Sequence, residues 1–567
     1  MSRGITPVRD DEESASGPSA DPVEGRSAAI SISGASKTFR LPHQLYITLK
    51  ERISHPFRRY TYDALGALHD ISFEVRHGEF FGVVGPNGSG KSTLLRCVAG
   101  IYALDQGEIV VDGRVSPFIE LGAGFTDDLA ARDNVVVNCI ILGLSRREAQ
   151  RRVDDILALA ELEQFTDLPL KNYSSGMRAR LGFAIAVQTD APVLLVDEVL
   201  AVGDASFQEK CFRQFQEAKA SGRTTLLVTH DMKVIERFCD RALLLDRGRI
   251  VDIGEPHRIA AGYEALGART ESVPMARTEP LPAMDKPRAA RTQVRAGLLG
   301  PAAIGDDPRG FAALVRALAE MQFKLHYLGS MLGYAWSVLR PLMMFGVLYF
   351  VLSQVLSVGA GVAHFPLYLL TTIVLWTFFA EATSSAVTCL VMGRGLLRKA
   401  RFPRLAVPFA AVLSALINLG INLIVVAAFI VGSGVAPRLS WLELPLLVLF
   451  LVVLATGVGT LLSALYARYR DVGQIWAVAL QMLFYLSPVL YVTGRYPESL
   501  RSVLAANPLA IVFTQARHAL IDPSAPSAAA SVGGTPALIA PLAIVGVLLV
   551  VGVWLFSREA PRIAERL

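Results

Sequence analysis

The sequence predicts two domains in series: a soluble α/β domain of the phosphate-loop class, with a mostly parallel sheet and a helical subdomain, then an all-α membrane domain of six spans. Three observations carry this reading. The chain has 567 residues, too many for one ordinary domain. Its mean hydropathy is +0.42 with 19% charged residues, an average that hides a split. Up to about Tyr263 charged and apolar residues mix, whereas from Trp336 apolar runs dominate, each near the ~20 residues that cross ~30 Å of hydrocarbon. The third observation is the segment Gly85-Pro-Asn-Gly-Ser-Gly-Lys-Ser92, a full GxxxxGKS between a strand at Phe80–Val84 and a helix at Thr93–Ala99.

In chain order, residues 1–28 are rich in Ser, Asp, Glu, Gly and Pro, with no basic start before an apolar stretch. They read as a disordered cytosolic tail rather than a signal peptide. Ala29–Ser33 alternates as a strand, and Leu68–Val75 and Glu79–Val84 flank the turn His77-Gly78. Between Phe39 and Tyr62 lies a basic, aromatic stretch. It fits an insertion touching membrane or the second domain, and equally a solvated surface segment. Strands alternate with helices over 29–265, as in a parallel sheet. Residues 266–308 turn to Ala, Pro, Arg, Thr and Glu without apolar period and read as a flexible linker.

The membrane domain, 309–567, opens on a helical pattern at Arg309–Tyr327, with Phe311, Leu314, Val315, Leu318 and Met321 on one side and Arg316, Glu320 and Lys324 on the other. That is the pattern of a helix lying in the membrane interface. Spans follow at Ser337–Leu356, Phe365–Val387, Leu405–Gly432, Leu442–Tyr466, Val472–Val492 and Ala537–Phe556. Lys and Arg concentrate after span two (Arg394, Arg398, Lys399, Arg401, Arg404), after span four (Arg468, Arg470) and in the C-terminal tail (Arg558, Arg562, Arg566). The positive-inside rule then places both termini in the cytosol of a bacterial cytoplasmic membrane, on the side where ATP is available. Glu381 falls within span two, where an ionisable group is a functional candidate by default.

The net charge of +5 is small for this length and argues against nucleic-acid binding. The five cysteines (Cys97, Cys139, Cys211, Cys239, Cys389) are scattered without a CxxC and read as reduced, small apolar residues.

The chemistry centres on the loop. Gly85, Pro86, Asn87, Gly88, Ser89 and Gly90 let backbone N–H groups curl around phosphate oxygens, and Thr93 continues the helix whose N-terminus adds positive potential. Lys91 would reach the β- and γ-phosphates of ATP, and the Ser92 hydroxyl would bind Mg²⁺. The apolar strand Val193–Val196 ends in Asp197-Glu198: Asp197 would hold Mg²⁺ and Glu198 would polarise the attacking water.

Tyr173-Ser-Ser-Gly-Met177 resembles the signature of ABC-transporter ATPases, usually LSGGQ; Ser174 and Gly176 match, while Tyr173, Ser175 and Met177 depart. With Ala201-Val-Gly-Asp204 and Leu121-Gly-Ala-Gly-Phe125, it is similar to the branch that exports bacterial cell-surface polysaccharides. The resemblance implies that Asp204 lies in the D-loop and that His230 is the switch histidine contacting the γ-phosphate. It makes Phe39 the candidate for stacking on adenine, with Tyr46 and Tyr62 open alternatives. Where the family carries a metal-binding glutamine, Glu120 is the nearest substitute. The resemblance also implies a homodimer, because one signature closes over nucleotide held by another chain's phosphate loop.

Gly329–Leu342, Ala467–Val472, Asn507–Leu509 and Arg517 resemble ABC-2-type permeases, and the basic loop at Arg394–Arg404 is the candidate for transmitting nucleotide-driven closure. The expected function is export of a lipid-linked polysaccharide (O-antigen, capsule or teichoic acid) across the bilayer, with export of a drug or lipid as the alternative. A soluble ABC ATPase of translation or repair is excluded by the spans.

Overall fold

The computed structural model describes residues 27–42, 62–118, 124–197, 205–270, 291–295, 307–327, 332–357, 362–397, 402–492 and 506–566. β1 (Ala28–Pro42) and β2 (Tyr62–Arg76) form an antiparallel ribbon. They are longer than alternation alone predicts, because pairing runs past Phe39↔Leu65 to Pro42↔Tyr62. The flanks of the basic aromatic stretch are therefore sheet, while its middle, the N-terminal tail and Tyr46 lie outside the described residues.

β3 (Phe80–Val84) is buried throughout and leads through the glycine-rich loop into α1 (Lys91–Val98). β4 (Gln106–Asp112) joins β1, and β5 (Val115–Phe118) opens the second sheet. The helical subdomain comprises α2 (Ala131–Ile141), α3 (Arg146–Arg151), α4 (Val153–Ala160) and α5 (Ser175–Gln188). Then come β6 (Val193–Asp197), α6 (Ala205–Ala220), β7 (Thr224–Val228), α7 (Met232–Phe238), β8 (Arg241–Asp246), β9 (Arg249–Gly254) and α8 (Pro256–Thr270).

The larger sheet runs β5-β6-β7-β3-β8-β9 and is parallel except for the β8–β9 hairpin. Its central strands are continuous apolar runs because both faces are covered. On one face Leu94, Leu95 and Val98 of α1 pack between the two sheets with Ile30, Phe73 and Val83. On the other, Phe183 of α5 meets Phe207 and Phe215 of α6 edge-on. The five cysteines are free thiols and buried. Burial pushes Cys139, Cys211 and Cys239 up to about 12, the pattern of packing residues rather than reactive ones.

The stretch 266–308, expected to be a flexible linker, carries ordered pieces. α8 runs on to Thr270, and β10 (Arg291–Arg295) adds parallel to β4. The open edge of β4 supplies unpaired backbone groups, and Thr292 and Val294 suit a strand.

The C-terminal half begins with α9 (Pro308–Tyr327). It continues with α10 (Ala335–Tyr349), extended by a π-helical turn at Phe350–Val355, then α11 (Phe365–Met392) and the short α12 (Arg394–Leu397). Next are α13 (Ala406–Gly432), α14 (Leu444–Arg468), α15 (Val472–Leu486), α16 (Pro508–Leu520), α17 (Ala528–Val532) and α18 (Ile539–Arg566).

Five of these helices are long and apolar enough to span a bilayer. The predicted fifth span is shorter than expected: α15 stops at Leu486, and 15 residues rise only ~22 Å. Beyond it, the Tyr368 hydroxyl of α11 donates to the carbonyls of Pro488 and Tyr491. The chain then returns as α16, whose first turn is capped by Asn507. α11 is the central helix and mostly buried, whereas α10 and α18 at the edges are mostly exposed.

Candidate nucleotide site and its link to the membrane helices

The register of the larger sheet assembles the site. Val83 of β3 and Asp197 of β6 both pair with Val228 of β7, so the three strands end level and side by side. The glycine-rich loop, Asp197 and His230 therefore leave one edge of the sheet together, where open α/β sheets bind ligands. Asp197 is 7% exposed at its strand end, whereas His230 is exposed just beyond β7.

The loop is built for close approach. Gly88 (φ +81°) has open space where a side chain would stand. Gly90 (φ +105°) permits a left-handed turn in which a Cβ would lie 2.5 Å from the Ala67 carbonyl. The hairpin after β8 fastens the loop: Gly248 N–H donates to Ser89 O at 2.8 Å, and His69 N–H to Gly248 O at 2.8 Å. Lys91 Nζ donates to the carbonyls of Gly85 (2.7 Å) and Pro86 (3.1 Å), drawing the loop around its ammonium.

These residues fit a polyphosphate on three counts. α1 starts without a side-chain cap and without an acid in its first turn, leaving N–H donors for an anion. The Ser89 hydroxyl is buried without a hydrogen-bond partner among the described residues. The buried ammonium of Lys91 supplies the countercharge. Ser92 and Thr93 are half-buried on the first turn of α1.

Ser174 caps α5, accepting from Met177 N–H at 3.2 Å, and is exposed. A Cβ on Gly176 would meet only the Ser174 hydroxyl, at 3.8 Å, so this helix end is open. Tyr173, which replaces the usual leucine, is buried and donates to Phe165 O at 2.8 Å; burial pushes its phenol up to about 12. That departure from the signature is a packing feature. Phe39 packs edge-on against Tyr102 at 5.4 Å with Lys37 over its ring, a partnership that sequence alone did not indicate. Glu120, Glu198 and Asp204 lie outside the described residues.

The link to the membrane helices runs through two elements. α9 was expected to lie in the membrane interface, and its polar residues reach the cassette: Glu320 accepts from Arg146 of α3 at 2.6 Å, and Lys324 donates to Asp133 of α2 at 2.8 Å. Its apolar side packs on α13, with Phe311 edge-on to Phe409 at 5.8 Å. The second element is the basic loop. Arg404 is 4% exposed and donates to Ile101 O (3.2 Å), just after α1, and to Ala560 O of α18. Arg394 is exposed, and Arg398, Lys399 and Arg401 lie outside the described residues. Glu381 accepts from Asn418 of α13 at 2.7 Å. Phe484 of α15 packs edge-on against Trp376 of α11 at 5.4 Å.

Comparison with known proteins agrees with this architecture. Residues 68–201 match the family model for ABC transporters, and residues 313–521 that for ABC-2 type transporters. An O-antigen export system ATP-binding protein of Klebsiella pneumoniae is 41% identical over 238 residues, which make up 41% of this chain and 97% of that protein.

The chain belongs to the ABC transporter family.

A second O-antigen export ATP-binding protein, from Myxococcus xanthus, is 40% identical over 239 residues, and the chain spans 55% of its length. A teichoic acids export ATP-binding protein of Lactococcus lactis is 41% identical over 198 residues, 42% of its length. Among solved structures, a bacterial ABC transporter cassette described as dimeric aligns over 40% of this chain and 98% of its own, at 23% identity and TM-score 0.33. The ATP-binding cassette and the ABC-2 permease are thus carried on one polypeptide.

Proposed function

We propose that this ABC transporter hydrolyses ATP to export a lipid-linked cell-surface polysaccharide across the bacterial cytoplasmic membrane, acting as a homodimer with the cassette and both termini in the cytosol. The observation that carries the reading is a cassette fitted for polyphosphate, bonded through α9 and Arg404 to an ABC-2 permease on the same chain. The printed roles of the relatives, O-antigen and teichoic acid export, supply the substrate class.

ATP supplies the free energy of its terminal phosphate bond. Lys91 and the N–H groups of Gly88–Ser92 would hold its phosphates, with Ser92 and Asp197 on Mg²⁺. Glu198 would accept a proton from the attacking water and His230 would contact the γ-phosphate. Ser174 and Gly176 of the second chain would close the site. Closure would pull on the segment at Ile101 and on α2 and α3, and hence on Arg404 and α9.

The test is deletion of the gene, with surface glycans and intracellular lipid-linked intermediates compared. Loss of surface polymer with accumulation inside is expected, and unchanged glycans would refute the substrate class. In purified protein, Glu198→Gln should retain bound ATP while turnover falls by at least about a hundredfold.

A further inference from the structure

Two cavities, of about 560 and 620 Å³, adjoin at His326, Glu381 and Ser385, which line both, and together make a cleft in two parts. Each is of the size that holds a small organic ligand, ~300–1,000 Å³. The lower cavity starts at Gly124–Thr126 of the cassette and runs between α9, α11 and α13. The upper one ends at Trp376 and Asn418, with Trp336 and Arg340 of α10 on its wall.

The central membrane helix turns a polar stripe into this cleft. Thr377, Glu381, the pair Ser384 and Ser385, and Thr388 recur at helical spacing on one side of the helix, and all line it. The other side of α11 is apolar: Phe378, Phe379, Ala382 and Ala386 are buried in the bundle. A carboxylate at membrane depth is costly, and Asn418 supplies one hydrogen bond to a group that can accept about four. Two exposed serines, Ser384 and Ser385, stand beside it.

We infer that this cleft receives the sugar–phosphate end of the exported glycolipid, with Glu381 and the hydroxyl stripe reading sugar hydroxyls and Arg340 and His326 facing the phosphate. The inference rests on the export reading above and deepens it. The ligand class follows from the mixture of groups. Phosphate alone brings no donor for Glu381, so it does not match the site. A purely apolar drug or lipid would leave the stripe unsatisfied. A hydroxyl-rich group joined to phosphate matches the carboxyl group, the Asn418 amide, the Arg340 guanidinium and the lining Trp336 together.

The test uses the full chain in lipid nanodiscs and two radiolabelled probes: a polyprenyl pyrophosphate carrying one N-acetylhexosamine, and the same polyprenyl pyrophosphate without sugar. Wild type should prefer the sugar-bearing probe by at least about tenfold, the worth of one or two hydrogen bonds to a charged group. Glu381→Gln, which keeps the size of the side chain, should erase most of that preference. Ser384→Val, which fills the cleft from an exposed position, should weaken the sugar-bearing probe and spare the bare one. Arg340→Gln should weaken both. Equal binding of the two probes by wild type, or an unchanged preference in both Glu381→Gln and Ser384→Val, would overturn the site. If gene deletion strips surface glycans while these variants bind normally, the cleft is refuted and the export reading stands. If deletion changes no glycan, the export reading itself fails.

Discussion

At the scale of single residues, the phosphate loop was legible because its chemistry is local: eight consecutive positions carry the glycines, the ammonium and the hydroxyl. Lys91→Ala should lower ATP affinity at least about tenfold by removing a charge-assisted contact, checked by nucleotide binding to the purified chain. Unchanged affinity would remove Lys91 from the site. Arg404 was legible only as one charge of a topology-setting loop. Its bonds reach Ile101 and Ala560, separated from it by 303 and 156 positions, and no local pattern records such distances. Arg404→Met should leave two buried carbonyls without this donor, at about 1–3 kcal/mol each. The full chain should melt earlier, and substrate-stimulated ATP turnover should fall more than nucleotide binding. A variant with wild-type melting and stimulation would show that the tie carries neither stability nor coupling.

At the scale of elements, α9 shows what periodicity can and cannot convey. Its apolar and polar sides were legible from spacing, but its protein partners were not, because an amphipathic helix presents the same pattern to a membrane surface and to a protein groove. The two ion pairs tie its polar side to the cassette. Burial alone would raise the Glu320 carboxyl, yet Arg146 and Arg316 outweigh it and hold the group below its usual range. Its contribution to docking is therefore complete above the ordinary carboxylate value of about 4.3 and is lost as pH falls through the lowered value. Protease protection of α9 should weaken over that acidic window, and Glu320→Gln should flatten the dependence. The pair is partly exposed, so its loss at neutral pH should cost no more than about 1 kcal/mol. Another element-scale contact concerns α14 and α18, which cross at Gly457 and Gly552. A Cβ on Gly457 would stand 2.8 Å from Leu549 N, and one on Gly552 2.5 Å from Gly457 O. Small residues let membrane helices approach this closely. Gly457→Leu should displace the last helix and lower the yield of folded protein from membranes, and a variant extracted in normal amounts would contradict that role.

At the scale of the whole molecule, domain order and most of the spans were legible because a bilayer imposes length on apolar runs, whereas the short α15 was hidden: Ser487–Val492 continues the apolar run after the helix has ended. The proposed homodimer rests on the resemblance to ABC ATPases, which assigns the two halves of each nucleotide site to two chains. The surfaces concerned are accessible: Asn87 and Gly88 on the loop, Ser174 and Ser175 at the start of α5. The native thiols are all buried, so new surface cysteines can be crosslinked without removing them. Asn87→Cys combined with Ser175→Cys in the Glu198→Gln background should give a disulfide-linked dimer when ATP is present and far less without it. Mixing chains that carry one cysteine each should give heterodimers in the same nucleotide-dependent way, which separates crosslinks between chains from those within one. Crosslinking that ignores ATP, or that never joins two chains under hydrolysis-blocked conditions, would mean that this cassette closes on something other than its own copy.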